Sequence, residues 1–406
     1  MSRKNILYIS GSLGLGHIVR DLAISHELRK QNSEIEISWL AASPASSLLK
    51  DMGEKLLPES DLYANDNMIA ENAAMEFHLN LLKYLFHAKK AWAHNADIFR
   101  EIVNKAAFDL VIGDETYEIA VALIKKPSLI KIPFVMIYDF VGLHSVTKNP
   151  IEKLGVYLWN RIWSQDYKLF SGGRNLALFV GELEDIGEGR FGYLLPNCRA
   201  HAEIYYKFVG YILPFDPMTL MDKAKIRAKL GYGEEPLVIC SIGGTSIGKG
   251  LLELCGEAYP IIRERLQNLR MILVCGPRIS AESIRAPQGV EVREYVPALY
   301  EHFAASDLAV VQGGGTTTLE LTALRKPFLC FPIEGHCEQE IHVGGRLERH
   351  QAGVKMLYSK ATPELLAKQI LLNLGKEVTY PPIPTDGAKN AALLINQLLL
   401  QSHQIN

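Results

Sequence analysis

Twice in this chain an apolar run of strand character stops at a glycine-rich loop and gives way to helical periodicity. The first instance is NILYIS, then GSLGLGH (residues 11–17), then HIVRDLAISHELRK. The second is PLVICSI followed by GGTSIGKG (residues 243–250) and a further helical stretch. Between and after them the same alternation continues, with EIEISWLA, DLVIGD, FVMIYDF and LALFVGE in the first half. RMILVCG, VEVREYV, LAVVQ, PFLCFP and VKML follow in the second. Near-continuous apolar strands separated by helices predict parallel sheets covered on both faces. A pattern that starts twice predicts two doubly wound, Rossmann-like α/β domains.

The length of 406 residues suits two domains of ordinary size. VGYILPFDP (209–217) has two prolines and no periodicity, so it marks the boundary. The expected division is 1–210, 218–384 and a last helix over 385–406, which follows the break YPPIPTDG and crosses back to the N-terminal domain. With 43 Lys and Arg against 45 Asp and Glu, the net charge of −2 leaves no basic field for nucleic acid. The six cysteines lack CxxC spacing and several lie in apolar runs, so they are expected as buried free thiols of a cytoplasmic protein. No run approaches the ~18 apolar residues of a membrane span, and ILYI is too short for a signal-peptide core.

The first loop fails the dinucleotide fingerprint. Its glycines, Gly11, Gly14 and Gly16, read GxxGxG rather than GxGxxG, and the second strand ends in Ala41, Ala42 and Ser43 without the ribose-binding acid. What the loop offers instead is His17 in the first helical turn. DLVIGDE places Asp114 at the carboxyl end of another strand, where open α/β sheets build their sites. A carboxylate behind an imidazole fixes its tautomer and stabilises the ring after proton uptake. Competing with this reading are a packing or capping role for His17 and a helix-cap role for Asp114.

The second half carries the more specific pattern. After a strand ending at Gln312 come Gly313, Gly314 and Gly315, and then Thr316, Thr317 and Thr318 open a helix. Bare amides at a helix N-terminus suit a phosphate or diphosphate. One turn further on, Glu320 can accept from two ribose hydroxyls. Gly243, Gly244 and Thr245 supply a second glycine-rich edge, which is not a P-loop because Gly250 follows Lys249.

The stretch 310–340 resembles the donor signature of GT-B glycosyltransferases, in particular the UDP-glucuronosyl and macrolide glycosyltransferases and the peptidoglycan N-acetylglucosaminyltransferases. The matching residues are Gly313, Gly314, Thr318, Glu320, Pro327, Pro332, Glu338 and Gln339. EYVPALYEHFAASDLAVV resembles the segment that meets the nucleobase, here near Val296, and GSLGLGH the N-terminal loop whose His is the catalytic base. Gln312 stands where the glucuronosyl-type families have His and where retaining families have Glu, eight residues before the position matched by Glu320.

The resemblance implies an inverting transfer from a nucleotide-diphosphate sugar, preferably a UDP-sugar, to a hydroxyl of a small aglycone or lipid-linked acceptor. His17 is then the base and Asp114 its partner. The donor contacts are Gly243, Gly244, Thr245, Val296, Gln312, Gly313, Gly314, Gly315, Thr316, Glu320, Glu338 and Gln339, and Gly14 and Gly16 belong to the acceptor loop. No DxD triplet occurs, so metal-independent transfer without a cofactor is expected. Two aromatic stretches, 77–94 and 157–170, read either as core or as a surface for an apolar acceptor or the inner face of a membrane. A nucleotide-sugar 2-epimerase of the same fold and a non-catalytic nucleotide-sugar-binding protein are the alternatives.

Overall fold

The structure is a computed structural model and describes residues 3–11, 15–75 and 78–402. The chain forms two compact units. The first comprises Met1–Ile69, Leu81–Pro214 and Pro384–Asn406, and the second Ala70–Asn80 and Phe215–Ile383.

The first unit holds six parallel strands: β1 (Lys4–Ile9), β2 (Ile35–Leu40), β3 (Leu110–Asp114), β4 (Phe134–Tyr138), β5 (Leu176–Val180) and β6 (Tyr206–Gly210). Their order in the sheet is β2-β1-β3-β4-β5-β6. The second unit repeats the plan with β7 (Leu237–Ser241), β8 (Arg270–Val274), β9 (Val290–Arg293), β10 (Leu308–Gln312), β11 (Phe328–Phe331) and β12 (Val354–Lys355), ordered β9-β8-β7-β10-β11-β12. Every residue of β3, β4, β7, β10 and β11 is buried, as expected of strands covered by helices on both faces. In both sheets the first strand of the unit lies inside and the chain reverses direction beside it, at β1/β3 and β7/β10. This is the switch point at which such sheets open a crevice.

The helices used below are α1 (Gly16–Gln31), α2 (Asp66–Ala73), α3 (Leu81–Lys105), α4 (Pro150–Trp163), α5 (Lys249–Arg263), α6 (Gly315–Ala323) and α7 (Gly387–Ser402). The last of these packs in the first unit. Ala391, Ala392, Ile395, Leu398 and Leu399 share a core with Ile24 and Leu28 of α1. Asn396 donates to the Gln31 side chain at 3.1 Å and Asn390 to the carbonyl of Val209 at 2.9 Å. All six cysteines are buried and none forms a disulfide. Among the described residues no helix is long and apolar enough to cross a membrane.

Within the stretch 157–170, Trp159, Trp163 and Tyr167 stand four residues apart but do not share one helical face. α4 ends at Trp163, and Tyr167 starts a separate turn. Between them Asp166 is held by His201 Nε2 at 2.7 Å and by the Tyr138 hydroxyl at 3.3 Å, which fixes the chain in that reversal. Trp163 is core, Trp159 is half-buried against Trp92 with ring centres 5.0 Å apart, and Tyr167 is exposed.

Candidate active site

In the first unit α1 follows β1 at once and buries one face against the sheet. That face carries Ile24 and Leu28 in its later turns, but His17, Arg20 and Asp21 in its first two. Helical spacing of three and four residues keeps all five on one side. The polar half therefore enters the carboxyl edge of the sheet, where β3 ends in Asp114 and β4 is followed by Asp139. Gly11 makes the close approach possible. A Cβ there would lie 2.9 Å from the carbonyl oxygen of Asp114 and 3.4 Å from His17 Nδ1.

The sequence-predicted pair meets: His17 Nδ1 lies 3.0 Å from Asp114 Oδ2, with both residues buried. An ionised carboxylate only accepts, so in the tautomer that hydrogen-bonds to Asp114 the ring proton is on Nδ1 and Nε2 is the acceptor. Arg20 binds the same carboxylate. Its Nε donates to Asp114 Oδ2 at 3.0 Å and its Nη2 to Oδ1, while Nη1 donates to Asp139 Oδ2 at 2.5 Å. Nη2 also lies 2.8 Å from His17 Nδ1. Burial would raise the Asp114 carboxyl, but the Arg20 guanidinium and the His17 ring outweigh it and hold it below the usual range. For Asp139 burial is likewise overcome, by Arg20 first and then by a hydrogen bond from Glu115, and its carboxyl is held well below that range.

Glu115 is the member that sequence reasoning missed. Its Oε2 lies 3.7 Å from His17 Nε2, and its Oε1 is buried without a hydrogen-bond partner among the described residues. Its backbone is left-handed, with φ of 51°, an uncommon conformation for a glutamate and one that clusters at functional sites. Burial, then the charge of Asp139 and the hydrogen bond to it, push the Glu115 carboxyl well above its ordinary value. These surroundings favour its protonated form. The available signal was adjacency, since Glu115 directly follows Asp114. Arg20, one helical turn after His17, and Asp139, at the end of FVMIYDF, carried the same kind of signal.

A pocket open to solvent lies against this cluster. His17, Glu115, Thr116 and Glu118 supply its polar wall, and Tyr63, Tyr84, Trp92 and Tyr117 its aromatic one. Tyr63 donates to Glu118 at 2.7 Å, and Trp92 packs edge-on to Tyr84 at 6.3 Å. Part of the 77–94 stretch thus lines a cavity beside the histidine, while Leu81 and Ala88 of the same helix are core. Gly16 is the first residue of α1, and Gly14 lies outside the described residues.

In the second unit β10 delivers Gln312 to Gly313 and Gly314, and α6 begins at Gly315 with no side-chain cap. The first-turn amides, including that of Thr316, are those an α-helix cannot bond internally. The Thr318 hydroxyl donates to Gly314 O at 2.9 Å and Arg346 Nη2 to Gly315 O at 2.9 Å, which fix the turn. Glu320 lies on the same helix and is buried. Burial pushes its carboxyl up to about 8. Val296 packs on the core, as do Phe215 and Tyr300, whose rings stack at 4.3 Å.

Gln312 and Gln339 are engaged inside the protein. Oriented so that its nitrogen faces carbonyls, the Gln312 amide donates to Ile242 O at 2.7 Å and Ile247 O at 2.9 Å and accepts from Gln339 Nε2 at 3.3 Å. Gln339 Oε1 accepts from the amide of Ile333 at 2.9 Å. The two side chains therefore hold the turn that contains Gly243, Gly244 and Thr245 against the strand ends. Gly243 adopts φ of +75° in that turn. Glu338 opens a π-helical segment, Glu338–Val343, and its Oε1 lies 3.9 Å from where a Cβ on Gly315 would be. Such segments recur at functional sites.

Comparison with known proteins agrees with this architecture. Residues 238–398 match the glycosyltransferase family 28 C-terminal domain. An uncharacterized glycosyltransferase of Methanosarcina acetivorans is 22% identical over 379 residues, covering 90% of this chain and 89% of that one. The UDP-N-acetylglucosamine--N-acetylmuramyl-(pentapeptide) pyrophosphoryl-undecaprenol N-acetylglucosamine transferase of Carboxydothermus hydrogenoformans is 25% identical over 158 residues, 37% of this chain and 42% of that one. Among solved structures, UGT89C1 of Arabidopsis thaliana matches with a TM-score of 0.62 at 13% identity, covering 98% of this chain and 100% of that one, a likeness of fold.

Proposed function

We propose that this chain, a glycosyltransferase of the GT-B fold, moves a sugar with inversion from a nucleotide-diphosphate donor, UDP-linked by preference, to a hydroxyl of an aromatic or apolar acceptor. The observation that carries the reading is the placement of His17. Its Nδ1 is fixed on Asp114 and its ring lines a pocket with four aromatic side chains.

In this mechanism the acceptor oxygen attacks the anomeric carbon from the face opposite the diphosphate. The new carbon–oxygen bond forms as the bond to the diphosphate breaks, which inverts the centre. His17 Nε2 takes the hydroxyl proton, and Asp114 stabilises the resulting imidazolium. Glu115, as a neutral acid, can donate a hydrogen bond to the acceptor from the other side of Nε2. The charge on the leaving nucleoside diphosphate falls to amides of the 243–246 turn and the N-terminus of α6. Glu320 takes the ribose hydroxyls and Glu338 the sugar. Gln312 and Gln339 act through the turn they hold. The charge stabilisation named here comes from amides and a helix dipole, which supports transfer without a metal. Location on the inner membrane face remains part of the proposal only for a lipid-linked acceptor.

The reading is tested by incubating the protein with UDP-sugars and hydroxylated aromatic or lipid-linked acceptors in the presence of a chelator. Free UDP together with a glycosylated acceptor is the expected product. An epimerised donor without acceptor product would assign the 2-epimerase reaction instead.

A further inference from the structure

Beyond the amides of the donor turn, the second unit builds a charged anion grip, and a side chain of the protein sits in it. The turns after β7 and β8 touch at Gly276, where a Cβ would lie 2.1 Å from Gly243 O. Only glycine, here at φ of +79°, permits that contact. Two residues on from it, Arg278 Nε and Nη2 donate to Glu71 Oε1 and Oε2 at 2.6 and 2.5 Å. The backbone amide of Ser246 donates to Glu71 Oε1 at 3.0 Å. Burial would raise the Glu71 carboxyl, but these donors hold it below the usual range, so it is an anion.

A planar guanidinium paired with an amide of a glycine-rich turn is a donor set for oxyanions, and phosphate fits it as carboxylate does. Ser246 directly follows Gly243, Gly244 and Thr245, and Glu71 belongs to residues 70–80, which pack with the second unit although their flanking sequence belongs to the first. We propose that Arg278 and Ser246 form a subsite for the diphosphate of the nucleotide-sugar, and that Glu71 competes for it as an internal anion. Donor binding then displaces Glu71 from Arg278 and Ser246, and Glu71 sets the threshold concentration for it. The identity of the anion as a donor diphosphate rests on the proposed function; the competition itself does not.

The test compares wild type with Glu71→Gln and Arg278→Gln as full chains, titrated calorimetrically with inorganic diphosphate, UDP and uridine. An internal anion that occupies the subsite ~90% of the time weakens a competing ligand about tenfold. Glu71→Gln should therefore bind diphosphate and UDP about tenfold more tightly, with uridine unchanged, and Arg278→Gln should bind both anions more weakly than wild type. In wild type, saturating diphosphate should speed amide hydrogen exchange within residues 70–80, a readout that needs no variant to fold. Equal diphosphate affinity in wild type and Glu71→Gln, unchanged exchange, or no diphosphate binding by either protein overturns the proposal. Tighter diphosphate with no response to UDP keeps the subsite and rejects the donor assignment.

Discussion

His17 Nε2 lies 3.7 Å from Glu115 Oε2, on the opposite side of the ring from the Asp114 contact. Asp114 and Glu115 are consecutive, yet their surroundings push their carboxyls in opposite directions. Arg20 holds the first below its ordinary value, and burial beside Asp139 pushes the second above it. A pair of carboxyls split in this way assigns one to charge stabilisation and the other to hydrogen-bond donation.

Glu115→Gln keeps a neutral donor of the same shape, so it should retain turnover to within about tenfold, while Glu115→Ala should raise the acceptor KM and leave UDP affinity unchanged. Steady-state kinetics with the acceptor varied checks this. A loss in Glu115→Gln as large as that in His17→Ala would mean that Glu115 acts as an anion.

Removing His17 and removing the charge of Asp114 should differ in kind. His17→Ala should lower kcat by about 10²–10⁴-fold with the UDP affinity of wild type. Asp114→Asn should lower kcat as well, and in addition destabilise the first unit by about 3–5 kcal/mol, because it leaves the buried Arg20 guanidinium short of a partner. Denaturant melts beside single-turnover rates separate the two. Equal melting midpoints would show that Arg20 relies on Asp139 alone.

Glu320 gives a pH-dependent stability. Its carboxyl sits near 8 in the folded protein, well above its value in an unfolded chain, so the folded state binds the proton more tightly. The stability this contributes is whole below the unfolded value, falls as pH rises, and is lost once pH passes about 8. Glu320→Gln carries no titrating group. The melting temperature of wild type should therefore drop steadily relative to Glu320→Gln from pH 5 to about pH 8 and level off above it. A constant difference would show that Glu320 is ionised throughout.

The C-terminal helix α7 should be indispensable to the first unit. Ile395 is fully buried beside Ile24 and Leu28, so Ile395→Ala should cost about 2–5 kcal/mol. Chemical denaturation followed by a probe in the first unit measures it, and a cost near zero would mean that α7 docks without contributing to the core.

Much of this was written in short-range signals. Two glycine loops, each between an apolar strand and a helix, mark the two sheets, because a covered parallel strand has to be apolar along its length. His17 and Asp114 were legible because each closes a strand-to-helix step at the carboxyl edge. Arg20, Glu115 and Asp139 were not, since a charge in a helix or a loop looks the same in sequence whether it faces water or a buried carboxylate. Gln312 and Gln339 matched a donor pattern by position, but only three-dimensional proximity reveals that their amides hold a turn. The placement of residues 70–80 with the second unit leaves no trace in periodicity, because it depends on Arg278 and Glu334, which lie far along the chain.

The anomeric configuration of the product tests the central claim most directly. An α-linked UDP-sugar, a hydroxylated acceptor, a chelator and the wild-type protein are combined, and the product's anomeric proton is read by NMR beside a parallel reaction with His17→Ala. The account predicts a β-linked product with free UDP from wild type, and a rate lower by about 10²–10⁴-fold from the variant. An α-linked product, or turnover by the variant equal to that of wild type, would contradict it.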